Sequence, residues 1–123
     1  MIQGIFNQGT YAASKQLLDA SIVRHEALAS NMANIETPGY KRVDLPQDFA
    51  KQFASSVRSG GTAPAPTLAV DTTAQSQRAD GNNVSLDKEL LSMNRNAAEY
   101  DVLTEFVSGS LKQLRLAISG RNA

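Results

Sequence analysis

The stretch ASNMANIETPGYKRVD, residues 29 to 44, decides how the fold is interpreted. It starts as the end of an alanine-rich helical pattern and then runs through two asparagines, a Thr-Pro-Gly-Tyr turn and a basic pair. Pro38 predicts the end of the helix, because proline has no backbone N–H and disfavours the helical conformation of the residue before it. Pro38 and Gly39 in the middle of the turn predict type II geometry, in which glycine takes a positive φ.

The pattern before this turn predicts one amphipathic helix over residues 11 to 36. Its apolar and small side chains recur at alternating intervals of three and four residues, and further apolar residues widen one flank. The stripe contains Tyr11, Leu18, Ile22, His25, Ala29 and Met32, and the flank contains Leu17, Leu28 and Ile35. Residues 1 to 10 are expected to form a tail that is partly helical.

Asn31 and Asn34 lie three residues apart, so they occupy neighbouring positions on one helix face. Two interpretations fit this spacing. The amides could cap a fraying helix end, or they could fix the register of an apolar assembly by bonding to another chain, as a single asparagine does in coiled coils.

A second and stronger pattern predicts a helix over residues 85 to 119. Residues 80 to 83 have turn chemistry, Ser85 is expected to cap the helix start with its side chain, and Asp87 and Glu89 suit the first turn of a helix dipole. The predicted seam of this helix contains Leu86, Leu90, Met93, Ala97, Tyr100, Thr104, Val107, Leu111, Leu114 and Ile118.

The opposite side of this second helix is apolar as well. One neighbouring helix cannot cover both sides, so we expect part of the order in the chain to be acquired on assembly. Gly109 is either a weak point of the helix or a place where another backbone approaches closely. The second apolar face contains Leu91, Ala98, Val102, Phe106 and Leu116.

Residues 37 to 84 are expected to form a turn, a short extended piece and a mobile connection. Residues 48 to 57 could form a marginal helix, and residues 58 to 80 are rich in Gly, Pro, Ser, Thr and Ala, a composition that buries little. Residues 120 to 123 form a tail. The sequence therefore predicts a single, mainly α-helical domain whose N- and C-terminal helices pair as a coiled coil.

Composition excludes several classes of function. Twelve basic and twelve acidic residues among 123 give a formal charge of zero, which argues against nucleic acid as a partner. The chain has no cysteine, which excludes disulfides and thiolate metal sites. No secretion signal and no run of about 18 apolar residues are evident, so neither a cleaved leader nor a membrane span is expected.

No set of residues predicts catalysis or a cofactor. His25 is the single histidine and is interpreted as a packing residue. The acidic residues between 80 and 89 lack the spacing of a calcium loop, and turn and helix-start roles explain them better. Asn83 begins an N-glycosylation pattern that means little without a secretory signal. We therefore predict that the chain is not an enzyme and holds no metal.

Two motifs of this chain resemble those of the bacterial flagellar rod and hook axial proteins. The first resembles the signature near the N-terminus of that family, and the second, with the helix that follows it, resembles the C-terminal part of a proximal rod member. The first motif comprises Ser30, Asn31, Met32, Ala33, Asn34, Thr37, Pro38, Gly39 and Tyr40, and the second begins with Asp80, Gly81, Asn82 and Asn83.

The resemblance implies a structural subunit of the flagellar basal body rod. Subunits of that family pair their terminal helices as a coiled coil, line a tube, are exported unfolded through the type III apparatus of the flagellum and polymerise in the periplasm. Expected partners are further copies of the chain, other rod proteins, the adaptor at the rod base and the surrounding membrane ring. The motif residues would be a conformational and packing signature at the assembly interface.

Two other functions fit parts of the sequence. A helical adaptor or export chaperone could bind one partner helix in a groove. An enzyme could use the acidic residues between 80 and 89 with a divalent metal.

Overall fold

The computed structural model describes residues 8 to 76 and 78 to 120, which form three helices and a two-stranded sheet. The predicted tails fall largely outside the described residues. The elements are α1 (Gln8–Ala33), β1 (Val43–Asp44), α2 (Phe49–Arg58), β2 (Ala69–Val70) and α3 (Leu86–Ser119). The fold is mainly helical as predicted, with the two long helices packed together and a short middle segment between them. None of the described helices combines the length and hydropathy needed to cross a membrane.

Helices α1 and α3 form an antiparallel pair. Near the middle of the pair the Ser21 hydroxyl donates to Asn96 Oδ1 over 3.2 Å, and Asn96 Nδ2 donates to the Ser21 carbonyl over 2.9 Å. Further along, Asn31 Nδ2 donates to the Glu89 carboxylate. Residue numbers rise on one helix as they fall on the other, which fixes the antiparallel direction.

The packed face of α1 differs from the predicted stripe. Ser14, Ser21 and Leu28 are buried at intervals of seven residues, whereas the predicted members Ile22, His25 and Ala29 are exposed. The face that meets α3 lies one residue earlier than the predicted stripe, which is a rotation of about 100° on a helix. Small side chains let two helices approach closely, so the contact forms at serine and alanine positions.

Helix α3 shows the same difference. Its buried positions are Glu89 and Asn96, seven residues apart. Met93, Thr104, Val107 and Leu114 of the predicted seam are half-buried, and the rest of the predicted seam is exposed. The exposed seam members are Leu86, Leu90, Ala97, Tyr100, Leu111 and Ile118. A methyl group added at Gly109 would meet no atom within 4 Å, so no close backbone approach within the chain explains that glycine.

The middle segment has more regular structure than a mobile connection. Val43 pairs with Val70 and Asp44 with Ala69 in an antiparallel register. Helix α2 lies where a marginal helix was considered, and none of its residues is buried. The strand pair holds β2 against β1, and β1 in turn is bonded to Asn31 near the end of α1.

The helix ends also differ from the sequence-based expectations. Helix α1 stops at Ala33, and residues 34 to 36 form turns rather than continuing the helix. The Ser85 side chain makes no capping bond at the start of α3; its carbonyl accepts the Glu89 N–H over 2.9 Å. Gly120, with φ of 62°, ends α3 in the left-handed conformation typical of a helix C-terminus.

The polar corner as candidate functional site

A network of polar side chains joins the end of α1, the turn after it, the 80 to 83 turn and the first turn of α3. We call this network the polar corner. Its members are Asn31, Tyr40, Arg42, Asn82, Asn83 and Glu89. Both motifs singled out from the sequence meet there, although the first ends at Tyr40 and the second begins only at Asp80.

Asn31 is fully buried and binds the backbone of β1 as a neighbouring strand would. Its Nδ2 donates to the Val43 carbonyl over 2.8 Å, and its Oδ1 accepts the Val43 N–H over 2.9 Å. The same Nδ2 lies 3.2 Å from Glu89 Oε2. All of these partners belong to the same chain, so a buried Asn31 is not accessible to a neighbouring subunit. This corrects the hypothesis that its amide bonds to another chain.

Tyr40 holds the end of the turn against α1. Its hydroxyl donates to Asn31 Oδ1 over 3.2 Å, and the Ser30 hydroxyl lies 3.2 Å from the Tyr40 hydroxyl oxygen. The Tyr40 N–H donates to the Thr37 carbonyl over 3.3 Å, and Gly39 has a φ of 73°. These features agree with the type II turn expected from the sequence, and they place the tyrosine ring beside the helix end.

Replacing Tyr40 with phenylalanine should lower the free energy of unfolding by about 1 kcal/mol, because the ring remains but the hydroxyl bonds to Asn31 and Ser30 are lost. Urea unfolding followed by circular dichroism measures this change. Tyr100→Phe is the matched control, because Tyr100 is exposed on α3. Equal effects of the two substitutions would contradict the role assigned to the Tyr40 hydroxyl.

Arg42 is the charged centre of the polar corner. Its guanidinium binds three carboxylates: Nε bonds to Glu89, Nη1 lies 2.7 Å from Asp71, and Nη2 lies 2.9 Å from Asp44. Glu89 is fully buried, so this cation compensates a carboxylate that has no contact with water. Arg24 adds a second cation, 3.1 Å from Asp44.

The carboxylates shift the pKa of Arg42 upward. Burial by itself lowers the pKa, but hydrogen bonds from the guanidinium to Glu89 and Asp44, and the charges of both carboxylates, outweigh it and raise the pKa above its ordinary value. The guanidinium is therefore always charged and cannot serve as an acid or base.

Asp71 has the opposite shift. Burial raises its pKa, but the Thr73 hydroxyl and backbone N–H, at 2.6 and 2.9 Å, together with Arg42 outweigh burial and lower the pKa below its ordinary value of 3.8. The ionised form is thus favoured in the folded chain. Asp71 connects the segment after β2 to the polar corner.

This shift predicts a pH dependence of stability. Because the folded pKa of Asp71 is depressed, its contribution is present above the unfolded pKa and is lost as pH falls through the folded pKa. Asp71→Asn should therefore be less stable than the native chain at pH 6, and the difference should shrink below about pH 4. Urea midpoints from pH 6 to pH 2.5 measure this. A difference that stays constant over that range would contradict the assignment.

Asn82 closes the C-terminal end of α1. It is fully buried, and its Nδ2 lies 2.9, 3.1 and 2.9 Å from the carbonyls of Asn34, Ile35 and Thr37. Its Oδ1 accepts the Val84 N–H over 2.8 Å. The last carbonyls of a helix have no partner within the helix, and this single amide supplies donors to the chain just beyond the end of α1.

Other motif residues extend this connection. Asn83 Oδ1 accepts the Arg42 N–H over 2.6 Å, and Asn83 Nδ2 donates to the Ala74 carbonyl over 2.9 Å. The Gly39 N–H donates to the Asp80 carbonyl over 2.8 Å, and Gly81 has a φ of 80°, which glycine adopts without strain. The two turns therefore bind each other through both backbone and side chains.

The remaining motif residues lie at the surface or bond locally. Asn34 Nδ2 donates to the Ser30 carbonyl over 2.8 Å, and Thr37 Oγ1 donates to Asn34 Oδ1 over 3.1 Å. Ala33 and Pro38 are exposed. Asn34 thus has the capping geometry that the sequence left open, while Asn31 does not.

The polar corner favours a structural rather than a chemical role. Its carboxylates and its guanidinium bind one another, and Arg42 keeps its proton. Within residues 8 to 76 and 78 to 120, no group of three or more His, Cys, Asp or Glu side chains is arranged to hold a metal ion. Its bonds tie the start of the middle segment to the end of α1 and to the first turn of α3.

Several members of this network were not identified from the sequence. From the sequence, Glu89 is expected in the first turn of a helix, and Arg42 is one of a basic pair without an assigned role. Asp71, which binds Arg42, and Asn96, which lies outside the polar corner in the contact between α1 and α3, have no sequence-based prediction. A sequence signal did exist for two of them, because Glu89 and Asn96 lie seven residues apart on α3, as do Ser14 and Ser21 on α1.

Comparison with known proteins shows the class of this chain. No protein-family model matches it. It is 30% identical over 112 residues to the "Flagellar basal body rod protein FlgB" of Aquifex aeolicus, covering 87% of this chain and 90% of the relative. Proteins of the same name from Bacillus subtilis and Escherichia coli are 26% and 27% identical, covering 91% and 88% of this chain and 95% and 91% of the relatives.

These relatives are structural proteins of the flagellar basal body rod, and the paired terminal helices of this chain are compatible with that class. Within that class, the chain belongs to the FlgB family. The resemblance noted in the two motifs is therefore confirmed over most of the chain.

Proposed function

We propose that this chain is a subunit of the proximal rod and polymerises through α1 and α3 into a tubular drive shaft. The shaft transmits torque and conducts exported subunits through its lumen. The role is mechanical and involves no catalysis. Its partners are further copies of the chain, other flagellar rod proteins, the adaptor at the rod base and the surrounding membrane ring.

The carrying observation is the amount of apolar surface left on the helix pair. Val102 is 70% exposed and Ile118 is 78% exposed, and several leucines, a tyrosine and a phenylalanine of the same helix are also exposed. Monomeric proteins seldom expose large contiguous apolar patches, and such patches mark interaction surfaces. The exposed set on α3 is Leu86, Leu90, Leu91, Tyr100, Val102, Phe106, Leu111 and Ile118.

The predicted seam and second apolar face thus gain a different interpretation. They are the surfaces that α1 and α3 offer to neighbouring subunits, while serines, alanines and asparagines make the contact within the chain. A tube requires each subunit to contact neighbours on several sides, and apolar side chains on more than one side of α3 supply such contacts. In this proposal the polar corner sets the orientation of the middle segment at the outside of the tube.

The proposed location is the periplasmic part of the basal body. The chain reaches it through the type III export apparatus. A helix pair whose contact contains few large apolar side chains unfolds readily, which suits passage through a narrow export channel.

Circular dichroism and sedimentation velocity on the purified chain, over a range of concentrations, test the proposal. We expect association to rise with concentration and on mixing with other rod proteins, and helix content to rise with it. Val102→Asp should reduce association, while Asp101→Asn, at the neighbouring exposed position, should not. A stable monomer at all concentrations, with or without other rod proteins, would contradict polymerisation through these helices and favour the adaptor role.

A further inference from the structure

An open groove of about 850 Å³ lies between α2 and the helix pair. Phe49 and Phe53 of α2 line one side, and their rings stack with centroids 6.1 Å apart. Leu17 of α1 and Val102 and Leu103 of α3 line the other side. No residue of α2 is buried, so the groove is an apolar surface that the described part of the chain leaves uncovered.

One acidic charge at this groove, that of Glu99, is left without an ion pair among the described residues. Three carboxylates, those of Asp44, Asp71 and Glu99, line it together with the guanidinium of Arg24. Asp44 and Asp71 bind Arg24 and Arg42, whereas Glu99 is exposed and forms no ion pair with a described residue. A ligand for this groove should therefore be apolar and carry positive charge.

The last turns of α3 have that chemistry. Leu111, Leu114 and Ile118 recur at intervals of three and four residues and so share one helix face. Leu111 is 44% exposed and Ile118 is 78% exposed. The charged residues between 107 and 119 are Lys112 and Arg115, both basic and both exposed.

The end of α3 cannot reach the groove of its own chain. Val102 and Leu103, which line the groove, belong to the same continuous helix as Ile118. At 1.5 Å per residue, the centre of this helix end lies about 20 Å along the axis from the groove. The occupant that fits in apolar character and charge must therefore come from another molecule.

We propose that the groove of one copy binds the basic, apolar end of α3 from a second copy. The contact is heterologous, because it joins two different surfaces, and repetition of a heterologous contact that does not close produces a helical filament. It would be an axial contact within the proposed rod, so this inference rests on the proposed function.

Engineered disulfides test the contact directly, since the native chain has no cysteine. The double variant Ala50→Cys/Ala117→Cys places one thiol in the groove and the other on the end of α3, and both positions are exposed. Mild oxidation of the purified chain, and of basal bodies containing it, should give a ladder of dimers, trimers and higher species on a non-reducing gel. Each single cysteine should give dimers at most.

Ser55→Cys/Ala117→Cys is the matched control, because Ser55 is exposed on α2 but does not line the groove. A ladder no stronger than that of this control, in both samples, would overturn the proposal. That result would also follow if a different rod protein covered these surfaces.

Charge reversal gives an independent test of specificity. Glu99→Lys alone and Lys112→Glu/Arg115→Glu alone should each weaken self-association at least about tenfold, because like charges then face each other. Combining all three substitutions in one chain should restore much of the association. Weakening that is not reversed by the combination would overturn the proposed charge pairing.

An experiment in cells distinguishes failure of the groove contact from failure of the proposed rod function. The variants are expressed in a bacterium whose own gene of this family is deleted, and motility and basal bodies are examined. Normal rods formed by the charge-reversal variants would overturn the groove contact and leave the rod function intact. Absence of the native chain from basal bodies would contradict the rod function itself.

Discussion

Replacing Arg42 with methionine should lower the free energy of unfolding by about 3 to 5 kcal/mol, because it removes one partner of a buried ion pair. Glu89 has no exposure to solvent, and one of its oxygens would lose the guanidinium that compensates it. Asp44 and Asp71 are less affected, since Asp44 retains Arg24 and Asp71 retains Thr73. Urea unfolding at neutral pH, followed by circular dichroism, measures the loss.

Two further variants make this prediction sharper. Arg95→Met is the control, because Arg95 is exposed on α3 and lies outside the polar corner. This substitution should change the free energy of unfolding by less than about 0.5 kcal/mol. The double variant Arg42→Met/Glu89→Leu should regain part of the loss, because no buried charge remains unpaired. A double variant that is less stable than Arg42→Met alone would show that the cost does not come from the unpaired carboxylate.

The long helices could be predicted from the sequence because their signals are local. Intervals of three and four residues extend over many turns of α3, and Pro38 and Gly39 specify the turn after α1. Such features depend on neighbours along the chain, and these are visible in a sequence. The same reasoning identified both motifs that meet at the polar corner.

The contact between the helices could not be predicted in the same way. The sequence-based interpretation assigned the largest apolar side chains to the intramolecular seam, but α1 packs through Ser14, Ser21 and Leu28. In the proposed assembly, large apolar residues serve contacts between subunits, and small residues suffice for much of the contact within one subunit. A periodic pattern shows which residues share a face, but it does not show which molecule covers that face.

Arg42 illustrates a second limit. Its three carboxylate partners lie 2, 29 and 47 residues away in the sequence, so no local pattern connects them. The strand pair brings Asp71 close, and the antiparallel helices bring Glu89 close. Long-range partners of a charged residue follow from the fold and become visible only once it is known.

Asn31→Leu should lower the free energy of unfolding of the monomer by about 2 to 4 kcal/mol, because it leaves buried backbone and side-chain groups without partners. The Val43 N–H and carbonyl, the Tyr40 hydroxyl and one oxygen of Glu89 each lose a bond. Unfolding is measured at a concentration low enough for the chain to be monomeric, so that association does not contribute.

Asn34→Leu is the matched comparison for this effect. Asn34 is half-buried and bonds locally to the Ser30 carbonyl and the Thr37 hydroxyl, so its loss should cost about 1 kcal/mol or less. If both asparagines served a subunit interface, the two leucine variants would leave the monomer equally stable and weaken assembly alike. The structure instead predicts unequal monomers, and it predicts that Asn31→Leu impairs rod assembly through the fold of the subunit itself. An Asn31→Leu monomer as stable as the native chain, but unable to assemble, would return this asparagine to the interface between subunits.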